Sequence, residues 1–453
     1  MKFLKRLFQR EQAEDRLFVL GLDGVPLTFL TKAAHSGVMP NLAGVLQRGV
    51  SIPLDSVVPT VSTVAWANYA TGVNPGKHGV FGFVDRHPNP FSVHIPSSND
   101  IKVPTLWEYL SRAGKMVGVV NLPLTYPPRR VNGFMVGGFL SPDLSKATYP
   151  VELAPKLMEK EYRIDVDTNL AFEDMDAFMA DLHTTMTRRF VACFDLMRSF
   201  SWDIFHLHVM STDRLNHFLW SDQILGTEEG NRDFFGFYQK LDSYLGELLE
   251  QLPDGCRLAL VSDHGFASTR ALVFLNQWLE ENGYLHFGKG QKELLTMLPD
   301  SRAYSLVPGR VFVNLEGREE RGTVPQGTEY EDLRQELIHR ISGISHPETN
   351  EPLIRRVYRR EELYSGPHLG KAADLIVEPN PGFDLKANLN VPAVLGPANL
   401  PGMHVREGAF VHLTGIKDPP KRETLPRLED LTATIMELLN VATPPGLDGH
   451  SIL

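Results

Sequence analysis

What most constrains this chain is a rhythm. Short apolar runs rich in β-branched residues alternate with longer segments of helical periodicity. The runs are Leu17–Leu22, Met116–Val120, Ile204–Met210, Arg257–Val261, Arg310–Asn314, Asp374–Val377 and Phe410–Thr414. The segments expected to be helical include Thr63–Thr71 closed by Gly72, Thr105–Ala113 closed by Gly114, Asp174–Ser199, Asn231–Gln251, Glu331–Ile341 and Leu431–Leu439. Such alternation predicts an α/β fold with a mostly parallel sheet and helices on both faces. Ligands of open α/β sheets collect at the carboxyl ends of the strands. Several of these runs end directly in Asp, His or Ser, so those ends are where chemistry is expected.

At 453 residues the chain has material for a large core. One elaborated core with insertions is expected rather than several domains. Residues 1–16 read as an N-terminal basic segment and 17–453 as one folded domain. About 150 Pro- and Gly-rich residues separate the run ending at Val261 from the one opening at Phe410, too many for a simple crossover. Residues 270–400 are therefore expected to be cap or insertion material that carries part of the second half of the sheet.

In MKFLKRLFQREQ, Phe3, Leu4, Leu7 and Phe8 recur at helical spacing between Lys2, Lys5, Arg6 and Arg10. A solvated chain start is the expectation, with weak membrane-surface contact through residues 1–12 as the other reading. The segment lacks the apolar stretch of a signal peptide, and no run in the chain approaches the ~18 residues of a membrane span. Cys193 and Cys256 are the only cysteines. They exclude a disulfide framework and a cysteine-based zinc cluster, and they fit a reducing, cytoplasmic setting. With 45 Lys+Arg against 55 Asp+Glu, a net charge of −10, no nucleic-acid polymer is expected as partner. A phosphorylated small molecule stays compatible with that acidity, because a metal ion supplies positive charge locally. Oligomeric state is left open.

Five separated segments place hard or borderline metal ligands at a strand end or helix start: Asp23 in VLGLDGVP, Ser62 and Thr63 in VVPTVSTVAWANYATG, Asp213 and His217 in MSTDRLNHFLW, Asp263 and His264 in ALVSDHGF, and His404 in LPGMHVREGAF. Each alone reads more readily as a turn former, an N-cap, a core histidine or, for His404, a surface residue. Together, three Asp and three His would make two sites of mixed N/O character, suited to two divalent ions, zinc or manganese. Asp213 and His217 are four residues apart and share a helix face. Ser62 or Thr63 opens a helix, where backbone N–H groups and the dipole favour an alkoxide or a phosphate oxygen. Lys77, His78 and Arg214 border these motifs as candidate phosphate binders. Trp66, Phe81, Phe83 and Tyr126 are candidate pocket walls, although core packing is the commoner role of such aromatics.

LGLDG, the hydroxyl residue followed by AW and then TGVNPGKHG, DRLNHFLW, VSDHGF and GMHVREGAF together resemble the alkaline phosphatase superfamily, in its type I phosphodiesterase/nucleotide pyrophosphatase branch. Within it the chain is similar to bacterial and archaeal proteins described only as predicted phosphohydrolases or phosphomutases, and the likeness runs from about residue 17 to the C-terminus. The resemblance implies an alkaline-phosphatase-like three-layer αβα sandwich with cap segments. It also implies one metal held by Asp23, Ser62, Asp263 and His264, and a second held by Asp213, His217 and His404. The nucleophile column falls on Ser62, with Thr63 as the fallback. The implied activity is hydrolysis of a phosphate ester, diester or monoester, through a phosphoseryl intermediate. A phosphotransferase or mutase with the same metal residues is the nearest alternative, and a non-catalytic metal-stabilised scaffold the more distant one. Ala65 departs from the family pattern, since nucleotide pyrophosphatases carry an Asn three residues after the nucleophile. Asn68, one turn on, is the candidate to take its place in substrate binding, beside Lys77 and Arg214. The C/S-x-P-x-R signature of sulfatases is absent around Ser62.

Overall fold

The computed structural model describes residues 16–222, 232–417 and 423–453. The basic segment expected at residues 1–12 lies outside them. Among the described residues an eight-stranded sheet has the order Gly49–Pro53, Phe410–Thr414, Arg257–Ser262, Leu17–Leu22, Ile204–Val209, Val117–Val120, Gly133–Val136, Thr148–Tyr149. From Arg257–Ser262 to Gly133–Val136 the strands are parallel. Phe410–Thr414 runs antiparallel to both its neighbours, and Thr148–Tyr149 closes the other edge antiparallel.

Leu17–Leu22 and Ile204–Val209 are buried at every residue, as strands covered on both faces must be. Because strand side chains alternate, one face of Leu17–Leu22 sends Phe18, Leu20 and Leu22 toward Phe190 of helix Met175–Ser199 and Phe237 and Tyr238 of helix Arg232–Gln251. The other face sends Leu17 and Val19 toward Trp66 and Tyr69 of helix Ser62–Thr71, Leu110 of helix Leu106–Arg112 and Ile435 of helix Asp430–Leu438. Two apolar layers on opposite faces of one sheet make the three-layer αβα sandwich. No helix among the described residues is long and apolar enough to cross a membrane.

One expectation needs correction. Residues 270–400 contribute no strand to the central sheet. The runs at Arg310–Asn314 and Asp374–Val377 form strands Arg310–Val313 and Leu375–Pro379, which pair antiparallel within a separate four-stranded sheet. A further three-stranded sheet joins Phe383–Lys386, Ala271–Phe274 and Leu395–Pro397. This cap has its own core, in which Trp278, Tyr304, Phe312 and Leu337 pack together. Periodicity identifies a strand but not its partner, which is a non-local choice. The cap is tied to the sandwich by Tyr364, whose hydroxyl donates to Val58 O at 2.6 Å, and through Arg406, which grips both Asp55 carboxylate oxygens at 2.6 Å and donates to the Tyr358 hydroxyl of the cap at 3.4 Å.

Candidate active site

Asp23 leaves the first strand into a tight turn. Gly24 adopts φ +63°, and a Cβ there would come within 2.5 Å of the Phe266 ring. Only glycine fits that turn, which aims the Gly24 N–H at Asp263 Oδ1 (3.1 Å) and so ties the carboxyl ends of two adjacent parallel strands. Strand Ile204–Val209 leads into helix Ser211–Leu219, which carries Asp213 in its first turn and His217 one turn later. His404 comes from strand Gly402–Val405, paired antiparallel with Gly265–Ser268 so that His404 lies opposite Phe266. Ser62 is the first residue of helix Ser62–Thr71. The first intrahelical bonds there run from Val64 and Ala65 to Val61 O, so the Ser62 and Thr63 N–H groups precede the helical series.

Seven residues from five segments converge. Ser62 Oγ donates to Asp23 Oδ1 at 3.0 Å and lies 3.1 Å from His264 Nε2. His264 Nε2 is 3.5 Å from both Asp23 Oδ1 and Asp263 Oδ2. On the other side, His404 Nε2 is 2.9 Å from Asp213 Oδ1 and 2.9 Å from His217 Nε2. The two groups adjoin, because the His264 and His404 rings stack with centroids 3.8 Å apart.

Burial and mutual repulsion set the electrostatics. Burial, then the neighbouring Asp23 charge, pushes Asp263 up to about 8, and burial likewise raises Asp23. Burial would lower His264, but Asp263 and Asp23 outweigh it and hold the imidazole up at about 10. Burial would raise Asp213, but the His217 and His404 imidazoles and Arg214 hold it well below the usual carboxylate range. Burial, with the neighbouring His264, lowers His404 to about 3.

These donors fit divalent cations. Asp263 Oδ2 is buried and makes no hydrogen bond, with His264 Nε2 at 3.5 Å its ion-pair neighbour. His217 Nε2 and His404 Nε2 point at one another beside a carboxylate oxygen, an arrangement a shared cation satisfies. Potential ligand atoms lie within 4.8 Å of one another in two groups, Asp23, Asp263 and His264, and Asp213, His264 and His404. His264 thus belongs to both, whereas the family resemblance assigns it to one.

The remaining candidates separate cleanly. Arg214 lines the cavity in front of Ser62, held by Asp165 (2.7 Å) and lying 4.4 Å over the Phe139 ring. Asn68 does not reach the cavity. Its Nδ2 donates to Glu429 Oε1 at 2.8 Å and its Oδ1 meets His78 Nε2 at 2.7 Å, so both ends of the amide join the helix to its neighbours. Asn68 therefore does not replace the Asn missing at Ala65. Lys77 is bound to Asp448 at 2.5 Å and to Gly446 O, which makes it a clasp for the C-terminal segment rather than a substrate ligand. His78 is fully buried and lowered to about 3 by that burial, so it carries no charge to offer a phosphate. Phe83 lines the cavity, Phe81 packs on Tyr364, and Tyr126 is outside the cavity wall.

Two supporting roles escaped the sequence reading. Trp66, one turn after Ser62, donates its Nε1 to Asp23 Oδ2 at 2.9 Å. His208 Nε2 stands 2.9 Å from the same oxygen, without hydrogen-bond alignment, and its ring lies edge-on to Trp66 at 4.7 Å. The available signals were Trp66 at i+4 from Ser62 and a histidine inside a wholly buried strand. Trp66→Phe keeps the packing but frees Asp23 Oδ2, and it is expected to weaken metal binding by ~10–100-fold, the cost of losing an outer-shell partner. Metal titration followed by dialysis and elemental analysis measures it.

The fold has solved relatives. Phosphonoacetate hydrolase from Sinorhizobium meliloti, in complex with phosphonoformate, superposes with a TM-score of 0.65 at 18% identity, covering 94% of this chain and 96% of that one. Murine ectonucleotide pyrophosphatase/phosphodiesterase 5 in complex with AMP superposes with a TM-score of 0.58 at 15% identity, covering 97% of each chain. At these identities the likeness establishes an alkaline-phosphatase-like fold. The family model for type I phosphodiesterase/nucleotide pyrophosphatase matches residues 17–408, most of the length, and the chain belongs to that family of metal-dependent phosphoric ester hydrolases.

Proposed function

We propose that the protein is a two-metal phosphohydrolase that cleaves the phosphate ester of a small molecule through a phosphoseryl intermediate on Ser62, with zinc as the resident ion and manganese as its substitute. The carrying observation is the Ser62 hydroxyl, which sits at a helix N-terminus between Asp23 Oδ1 and His264 Nε2 and opens on the cavity. Asp23, Ser62, Asp263 and His264 would hold one ion, and Asp213, His217 and His404 the other. Bound there, the pair would supply Lewis acidity to the phosphoryl oxygens and lower the pKa of a coordinated hydroxyl or water.

The chain's own residues supply the rest. Asp23 accepts the Ser62 hydroxyl proton and so leaves an oxygen lone pair facing the cavity. Ser62 Oγ bonds to phosphorus as the ester oxygen leaves with its electron pair and takes up a proton to become the alcohol. The Ser62 and Thr63 N–H groups, which precede the helical hydrogen-bond series, would serve the non-bridging oxygens, with the helix dipole favouring their charge. Arg214, fixed by Asp165 and stacked on Phe139, is the lining cation next in sequence to the candidate ligand Asp213. Water then attacks the phosphoserine, releasing phosphate or a monoester and restoring Ser62. Thr63 Oγ1 is buried without a hydrogen-bond partner, whereas Ser62 Oγ is hydrogen-bonded to Asp23 and His264, which favours Ser62 as nucleophile.

Turnover in ¹⁸O-labelled water tests this reading against phosphotransfer. Hydrolysis puts one solvent oxygen into each phosphoryl product. An unlabelled phosphoryl group appearing on an acceptor alcohol would overturn it in favour of a transferase.

A further inference from the structure

The cavity above Ser62, about 480 Å³ and within the usual range of small-molecule sites, has walls whose chemistry the hydrolytic step does not use. From them we propose that the organic group of the substrate is uncharged and mainly apolar, aryl or alkyl, and that the site disfavours a substrate carrying a second phosphate. This rests on the hydrolase reading of the same site.

Two aromatic pairs border the cavity. Phe83 and Phe139 stack with centroids 5.9 Å apart and planes 24° apart, and the Arg214 guanidinium caps Phe139. Phe172 meets Phe218 edge-on at 5.3 Å, yet 66% of Phe172 is exposed. A large aromatic ring left in water beside a cavity gains free energy when an apolar ligand covers it, roughly 25 cal/mol for each Å² removed from solvent. The cap adds Leu385, Val377 and Pro308, so apolar surface faces the site from both lobes.

The charges around these walls are already answered. Apart from Arg214, which the hydrolytic step uses, the cavity-lining cations among the described residues are paired: Lys386 with Asp384 at 2.6 Å, Arg406 with Asp55 at 2.6 Å, and Arg355 with Glu407. Glu378, 6% exposed, also lines the cavity. Its Oε2 accepts from the Tyr358 hydroxyl, while Oε1 has no hydrogen-bond donor and lies 3.6 and 3.8 Å from Arg355 and Arg406. A second phosphate would have to break ion pairs that are already made and approach Glu378 and Asp384, both of its own sign. Like-charge juxtaposition of this kind rejects a ligand more effectively than a missing contact does. A neutral aryl or alkyl group meets no such penalty.

The test uses the full-length, metal-loaded protein and two diesters that release the same p-nitrophenolate, phenyl p-nitrophenyl phosphate and methyl p-nitrophenyl phosphate, with ATP as the polyphosphate. The expected kcat/KM for the phenyl ester exceeds that for the methyl ester by at least about tenfold, and ATP falls at least about tenfold below the phenyl ester. Phe172→Ala, at an exposed position, is expected to cut the phenyl-to-methyl ratio about fivefold, and Glu378→Gln to raise kcat/KM for ATP. A phenyl-to-methyl ratio near one, a ratio unmoved by Phe172→Ala, or ATP cleaved as well as the phenyl ester overturns the inference alone. No turnover of any ester by metal-loaded protein overturns the hydrolase reading and this inference with it.

Discussion

Ser62→Ala is expected to lower turnover by on the order of 10⁴-fold or more while metal content stays within twofold of wild type. The argument is geometric. Alanine removes the proposed attacking oxygen, and Ser62 Oγ rather than Thr63 Oγ1 stands between Asp23 and His264. The carboxylate and imidazole ligand candidates all lie in other segments of the chain, and Asp23 keeps its bond from Trp66 Nε1. The fold should persist, since the change deletes one oxygen at a helix start whose first hydrogen bonds are made by Val64 and Ala65. Initial rates with elemental analysis of the same samples decide it. A Ser62→Ala protein near wild-type rate, with Thr63→Ala inactive, would move the nucleophile by one residue.

Asp263→Asn and His217→Ala are each expected to lower bound metal from two ions per chain to one and to cut turnover by on the order of 10³-fold, since the Lewis acidity of an ion contributes several kcal/mol and each 1.36 kcal/mol is tenfold in rate. The variants are chosen to spare the fold. The amide introduced by Asp263→Asn would retain an oxygen for the Gly24 N–H and lose only the buried charge. His217 is part-exposed, and His217→Ala gives up one hydrogen bond, between its Nδ1 and Gly402 O at 3.0 Å. Thermal melting with and without added zinc separates loss of an ion from loss of structure, because a ligand that binds only the folded state raises its stability. Two ions retained in both variants would remove these residues from the ligand set.

Much of this arrangement is local enough to be legible in the chain. The apolar run Leu17–Leu22 becomes a strand buried throughout, and Thr63–Thr71 closed by Gly72 becomes helix Ser62–Thr71 with Gly72 left-handed at φ 68°. Asp23, Asp213, Asp263 and His264 are legible for the same reason: each closely follows a run that must be a strand, and parallel strands carry all such ends to one edge. His404 is different. Its segment reads as a ligand at a strand end or helix start, but His404 lies within a strand of an antiparallel pair beyond the central sheet.

Chemistry that acts along the chain thus settles the alternation of strands and helices, the ends at which ligands gather, and the residue types able to hold a metal and attack phosphorus. Which strands pair is settled only in three dimensions. That choice sent the strands of residues 270–400 into a separate cap and drew Phe410–Thr414 antiparallel into the central sheet. Packing also fixed which polar groups were already spent, committing Asn68 to Glu429 and His78, and Lys77 to Asp448, while bringing Trp66 and His208 against Asp23. The difference is one of range. Turn chemistry and side-chain period act over a few residues and can be read along the chain, whereas a buried polar side chain takes whichever partner the packing brings to it, and that partner often lies tens to hundreds of residues away.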